Sequence, residues 1–427
     1  MKGFLRHSSL FFLACLLTSC TVQPTGNSNT SVVTTTPSPS PSISPAATSE
    51  TSSSVQVTLP LLDALLSDEK FVAQLKQNLK LSDEQIDSLK RASSSEIARL
   101  QQTNAEDTDG NATDARTRAA EELRKTLGAD KARQLATLAN DYWSKGDQTE
   151  TASSNTVAML KGPNAVPTDT RIVVNIPAFR MDLFQDGSLV KSYKIGIGYP
   201  EFPLPFGLRK AQTIIFNPTW TPPDSPWVEK MKNVTAGETV KAGDKDNPLG
   251  PIKIPIGLPS LIHGGKSPAK IGKFASHGCV GLTNAQVKDF AAQLAKASNT
   301  SDVSDVTIAS YLEDREKTKT VKLNQTVPVE LRYETIVLED GKLHLYKDVY
   351  AQDSNTEENL RAVLEANGVR LEELSEQQRT EILNALKSVK KETVIDISSV
   401  AKAGYPAPVS LDTGNTDKRG SKPRIRS

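Results

Sequence analysis

The sequence predicts an α+β protein: a β-rich domain of mixed sheets with one or two helices, flanked by helical segments. Three observations predict it. Leucines recur at helical spacing between residues 56 and 148. Near Arg171 the pattern changes to β-branched runs and strict alternation. Proline and glycine then punctuate the chain as far as Gly257, as short strands joined by turns require.

The N-terminus reads differently from all of this. Residues 1–19 begin with Lys2 and Arg6 and continue into the apolar run Leu10 to Leu17. That run is too short to span a bilayer and has the shape of an export signal. It ends in Leu17-Thr18-Ser19-Cys20, which resembles the bacterial lipoprotein box, so Cys20 is expected to carry a lipid and tie the protein to a membrane surface. Residues 20–55 are mostly Ser, Thr and Pro and cannot bury a core, which predicts a disordered tether. Fully extended it would reach on the order of 100 Å.

In residues 56–148, Leu61, Leu62, Leu65 and Leu66 form one helical face, followed by Phe71, Leu75 and Leu79. Ser82 and Gln85 make a capping box. After a polar gap, Ala119, Leu123, Leu127, Ala132, Leu135 and Leu138 continue the pattern. No catalytic constellation stands out there, so a packing or spacer unit is expected.

Residues 168–333 carry the β-rich domain. Arg171 to Ile176 is a strand, and Arg180 to Gly198 alternates on both sides of Asp186-Gly187, a hairpin turn signal. Further strands fall at Gln212 to Phe216, Ile252 to Ile256, Thr320 to Leu323 and Val327 to Tyr333, with a helix over Ala285 to Ala297. Residues 334–400 open with a hairpin around Asp340-Gly341 and continue as two helices, the second capped by Ser375 and Gln378. The tail, residues 401–427, is polar and ends basic; it reads as disordered.

Lys and Arg number 51 against 50 Asp and Glu, so no uniform field points to nucleic acid as a partner. The chain has four histidines and three cysteines. With Cys15 in the export peptide and Cys20 lipidated, Cys279 is the one free thiol expected in the mature protein. His263 and His277 both fall within sixteen residues of it. A nucleophilic cysteine needs a base, because a thiol with a pKa of about 8.5 is only slightly ionised near neutrality. It also needs donors for the oxyanion, and a tight turn such as Ser276-His277-Gly278-Cys279 offers backbone N–H groups for that. Either histidine fits the role of base. A zinc site is the competing reading of the trio, but the spacing lacks paired ligands and a fourth donor, so neither metal nor cofactor is expected.

These residues resemble the signature of the L,D-transpeptidase catalytic domain, the YkuD family. The match consists of His263-Gly264, then Ser276-His277-Gly278-Cys279, Val280 and Asn284. It extends to Val173-Val174-Asn175-Ile176-Pro177, to Asn217-Pro218-Thr219-Trp220-Thr221-Pro222-Pro223 and to Asn247-Pro248-Leu249-Gly250. The hairpin from Glu334 to Tyr350 is similar to the extension that follows the domain in the ErfK/YbiS-like branch.

The resemblance implies acyl transfer on peptidoglycan stem peptides. Cys279 would be the nucleophile, His263 its proton acceptor with Gly264 O orienting the ring, and His277 a residue shaping the pocket. Ser276 and Gly278 belong to the same turn, and the N–H groups of Gly278 and Cys279 would serve the oxyanion. Two departures accompany it. Similar sequences usually carry Arg two residues after the cysteine, and here Gly281 stands there, so a cationic contact is absent or comes from elsewhere. The usual Thr-Pro-x-Gly turn appears as Leu204-Pro205-Phe206-Gly207. Crosslinking in the cell envelope, facing the periplasm or wall, is the leading expectation. Trimming of stem peptides by an L,D-carboxypeptidase reaction and a non-catalytic wall-binding scaffold are the alternatives.

Overall fold

The computed structural model describes residues 57–102, 111–145, 158–257, 260–401, 404–408 and 410–414. These all fall in one compact unit, Ser54–Ser427. The export segment, Cys20, the tether and the final residues 415–427 lie outside the described residues.

Five helices come first: α1 (Leu59–Leu66), α2 (Glu69–Leu79), α3 (Asp83–Gln102), α4 (Ala112–Leu127) and α5 (Ala129–Lys145). The leucine faces read from sequence meet in one core with Phe71, Tyr142 and Trp143. The capping box forms at the start of α3, with Gln85 N–H donating to Ser82 Oγ at 3.3 Å and Ser82 N–H to Gln85 Oε1 at 3.1 Å.

Strands β1 (Arg171–Asn175), β2 (Arg180–Gln185) and β3 (Ser188–Lys194) follow, then β4 (Ile197–Gly198) and β5 (Gly207–Phe216). Asp186 and Gly187 both take positive φ, 48° and 81°, as a two-residue turn between twisted strands requires. After the short α6 (Pro226–Glu229) come β6 (Ile252–Pro255), β7 (Leu261–Lys266), β8 (Phe274–Ser276) and β9 (Val280–Thr283). Helices α7 (Asn284–Ala297) and α8 (Asp305–Glu313) lead to β10 (Lys319–Arg332). The chain then forms β11 (Ile336–Glu339), β12 (Lys342–Leu345), α9 (Glu357–Ala366), α10 (Glu376–Leu386), β13 (Thr393–Asp396) and β14 (Leu411–Asp412).

Nine strands form one sheet in the order β14-β3-β2-β1-β10-β5-β6-β7-β9. Helix α7 lies on it, capped by Thr283 and Gln286, and buries Val287, Phe290 and Leu294 against Ile172, Ile214, Ile254 and Ile262. A three-stranded sheet, β11-β12-β13, packs with α9 and α10 around Leu338, Leu343, Leu364 and Ile382.

The structure departs from the sequence expectations in three places. Thr320–Leu323 and Val327–Tyr333 belong to one strand, β10, because a shift in register between Lys322 and Val327 absorbs the intervening polar residues without breaking the pairing with β5. The hairpin after residue 334 gains a third strand, β13, some fifty residues away, a partner that local patterning does not reveal. The tail from Ala401 is not disordered throughout. Tyr405 is buried edge-on to Phe184 with centroids 5.8 Å apart, and Leu411–Asp412 pairs with β3, covering an edge that would otherwise expose its hydrogen-bonding groups. The five helices pack against the β-rich region. Thr58 Oγ1 donates to Glu201 O at 2.5 Å, Arg209 donates to Trp143 O, and Ile97 of α3 is buried with Tyr199 and Phe202.

Candidate active site

Strands β7 and β9 lie side by side and parallel, with Ile262 opposite Val280 and His263 opposite Gly281. His263 thus stands on the strand next to the one that Cys279 leads into. His263 is buried, 3 % exposed, and its Nδ1 lies 2.7 Å from Gly264 O. That contact puts the ring proton on Nδ1 and leaves the lone pair at Nε2. Burial pushes the imidazole pKa down to about 3, helped by the nearby Lys266 and Lys253, while the carbonyls of Gly264 and Leu249 pull the other way.

Sequence fragments far apart converge behind this ring. Gly265 N–H donates to Asn284 Oδ1 at 2.8 Å. At Gly250 (φ +66°) a Cβ would lie 2.4 Å from Gly265 N and 2.7 Å from Asn284 Oδ1. The Asn-Pro-Leu-Gly turn, His263-Gly264 and Asn284 are therefore one packed unit, and this is a position only glycine can fill.

Cys279 ends a tight turn. Its N–H donates to Ser276 Oγ at 3.0 Å, and that hydroxyl in turn donates to Cys279 O at 2.5 Å. The Cys279 N–H is thereby engaged, which corrects the expectation that it serves an oxyanion. Gly278 turns the chain at φ +94°, and its carbonyl accepts from Ser260 Oγ at 2.8 Å. The Cys279 thiol is half-buried. Burial pushes its pKa up, opposed by the Leu261 N–H and the ammonium of Lys266. Both shifts favour uncharged forms, so Cys279 rests as a neutral thiol and His263 as a neutral imidazole.

The other histidine sits in an aromatic box. The His277 ring stacks on Trp227 at 4.4 Å with an interplanar angle of 8° and meets the edge of Phe202 at 4.5 Å. Tyr199 lies 5.6 Å away. Trp227 rides on α6 and stacks in turn near Trp220, from the Asn217–Pro223 motif, at 5.9 Å. The backbone under the box is held from two sides. Tyr199 N–H donates to Ser276 O at 2.9 Å, and Tyr350 Oη, beyond the second hairpin, donates to Gly198 O at 2.8 Å.

The residue that sequence reasoning missed is Lys266, at the end of β7. A Cβ at Gly281 would meet its stem, 2.8 Å from Cγ and 2.9 Å from Cε. The lysine stem therefore occupies the space above Gly281, and its charge faces both Cys279 and His263. Burial pushes the ammonium below the usual lysine range, the Cys279 thiol acting in the opposite sense. A cationic side chain thus lies over Gly281 from the neighbouring strand. The only signal was a basic residue three positions after His263; pairing sets Lys266 opposite Thr283, and its long stem reaches back over Gly281.

Among the described residues, no three His, Cys, Asp or Glu side chains converge to hold a metal ion. Of the expected site residues, the structure gathers Cys279, Ser276 and Gly278 in one turn and His263 with Gly264 on the adjacent strand, and it sets His277 to the aromatic side.

The sheet sets the buried His263 imidazole on the strand adjacent to the one that follows the Cys279 turn. Residues 169–320 match the L,D-transpeptidase catalytic domain, YkuD, and the chain carries that domain. Solved structures similar to it include the catalytic domain of an E. faecium L,D-transpeptidase, at 16 % identity over 39 % of this chain and 100 % of that one, TM-score 0.25. Another is an L,D-transpeptidase from Mycobacterium tuberculosis H37Rv, at 13 % identity over 38 % of this chain and 57 % of that one, TM-score 0.22. A third is the Ldtfm–avibactam carbamoyl enzyme, at 17 % identity over 38 % of this chain, TM-score 0.25; this chain spans about half, 49 %, of its length. No curated protein matches the chain.

Proposed function

We propose that the protein is a peptidoglycan L,D-transpeptidase acting through Cys279. The observation that carries this reading is the pairing of β7 with β9, which sets the Nδ1-protonated His263 on the strand beside the Cys279 turn, inside a YkuD domain. Because both groups rest neutral, the proton leaves the thiol as the sulfur attacks. His263 Nε2 accepts it while a C–S bond forms to the carbonyl carbon of the donor stem. In this reading the Gly278 N–H serves the developing oxyanion. Collapse breaks the C–N bond, His263 returns the proton to the departing D-residue amine, and a thioester remains on Cys279. The amine of an acceptor stem then attacks the thioester and releases the thiol. Lys266 stabilises the sulfur while it carries negative charge, and it can also hold a substrate carboxylate. His277, stacked on Trp227, forms the wall against which the peptide lies.

Cys20 would anchor the protein by lipid to a membrane of the cell envelope, with the tether giving the enzyme reach toward the wall polymer. The test is a muropeptide reaction with products resolved by mass spectrometry. Crosslinked dimers are expected from the wild type and none from Cys279→Ala that retains its fold. Dimers at wild-type yield from that variant would refute the assignment. Trimmed tripeptides without dimers would assign the reaction to a carboxypeptidase instead.

A further inference from the structure

The chain as a whole is nearly neutral, with a formal charge of +1. One cleft is not. A cavity of about 1060 Å³ opens on the flank of the Cys279 turn, and six lysines line it against a single glutamate. The lysines come from four separate stretches. Lys194 ends β3, Lys270 and Lys273 lie on the loop between β7 and β8, Lys347 follows β12, and Lys390 and Lys391 precede β13. The one carboxylate, Glu392, is taken by His344 Nδ1 at 2.9 Å. Aromatic rings floor the same cleft, Phe179 and Phe274 meeting edge-on at 5.9 Å.

The position of the cleft matters as much as its charge. It shares Tyr199 with the aromatic box around His277, and Phe274 begins the strand that ends at Ser276. Its outer wall, Lys347 and Lys390 to Glu392, lies outside residues 169–320, the part that matches the YkuD domain. The segments that follow β12 and precede β13 therefore wall a cleft next to the strand that ends at Ser276.

We propose that this cleft binds an acidic glycan polymer, a chain of sugar rings bearing carboxylate or similar anionic groups. The volume is at the top of the range of about 300–1,000 Å³ usual for small-molecule pockets, so several linked residues fit better than one. Ammonium groups on flexible stems suit a repeated anion whose spacing varies, whereas the rigid fork of arginine, absent from the lining, suits one fixed oxyanion. The aromatic floor suits the apolar faces of sugar rings. The proposal concerns binding alone and stands whether or not Cys279 transfers acyl groups.

The test is affinity electrophoresis of the full chain through gels containing polygalacturonate, polyphosphate or dextran. Polygalacturonate is expected to retard the wild type and dextran to leave it unmoved, with polyphosphate weaker than polygalacturonate at matched charge. The double variant Lys390→Gln, Lys391→Gln should weaken the polygalacturonate interaction roughly tenfold, a loss consistent with two solvated ion pairs. Lys273→Gln, from the opposite wall, should weaken it in the same sense. The charge-matched control Lys125→Gln, Lys131→Gln, on α4 and α5, should behave as wild type. The basic C-terminus is common to all these chains, so differences among them report the cleft. Equal losses in the control, no loss in either cleft variant, or equal retardation by polyphosphate would overturn the proposal. Crosslinking of small soluble muropeptides by the Lys390, Lys391 variant should stay at the wild-type rate, which separates failure of this inference from failure of the transpeptidase assignment.

Discussion

Replacing Asp63 with Asn should stabilise the protein, and only above mildly acidic pH. Asp63 lies on α1, 8 % exposed, facing the loop that leads into α6. Burial raises its carboxyl pKa from 3.8 to about 6; Asp224 adds to the effect, and the hydroxyls of Ser225 and Ser94 oppose it. An acid whose pKa is raised in the folded state holds its proton more tightly there than in the unfolded chain. Folding stability therefore falls as pH rises between those two values and stays low above the upper one. One pH unit of displacement is worth about 1.4 kcal/mol. The move from 3.8 to about 6 makes ionisation oppose folding by an amount on the order of 3 kcal/mol. Asn keeps the shape and some hydrogen bonding but removes the charge. Guanidinium unfolding of wild type and Asp63→Asn at about pH 8 and about pH 4 isolates the effect, since other titrating groups are common to both chains. The variant should gain stability at the higher pH and match the wild type at the lower. An equal difference at both pH values, or a variant less stable at pH 8, would refute the reasoning. The contact bears on the site because Ser225 precedes α6, whose Trp227 stacks on His277.

Other expectations follow from the site itself. Lys266→Met should cut the rate at which iodoacetate alkylates Cys279 relative to neutral iodoacetamide by roughly tenfold, the effect of removing one nearby charge. Gly281→Ala should move that ratio in the same direction, because its Cβ would fall 2.8 Å from Lys266 Cγ and push the stem aside. A ratio unchanged in both variants would remove Lys266 from the site. In the wild type, iodoacetamide alkylation should keep rising with pH through the ordinary thiol range, since burial holds the sulfur protonated. A plateau reached below neutrality would mean a preformed thiolate. Ser276→Ala should cost about 1 kcal/mol in denaturant unfolding, the low end of the range for an N–H left without its acceptor, because this one is only part-buried. A loss under a few tenths would show that the turn holds without it.

Much of the fold follows from short-range pattern. The leucine faces of α1 to α5, the two Asp-Gly hairpins and the Ser82 and Ser375 caps are consequences of neighbouring residues, and each appears where the sequence places it. The candidate site residues were legible for a different reason, namely a rare residue type, cysteine, flanked by histidine in a glycine turn. Long-range pairing was not legible. Nothing near Thr393 announces that it will join β12, and nothing near Leu411 announces β3. Such strands form only when partners far along the chain are brought together, and the stabilising contacts belong to both.

By itself the sequence determined the class of fold and the helical flanks, and it singled out His263, His277 and Cys279 as candidates. Tertiary structure decided that Lys266 crosses Gly281, that Ser276 takes the Cys279 N–H, that Trp227 covers His277 and that six lysines share a cleft. The physical reason is that periodicity and turn chemistry act over a few residues. Burial, charge proximity and register are properties of strands adjacent in space, and no local stretch of chain encodes them alone.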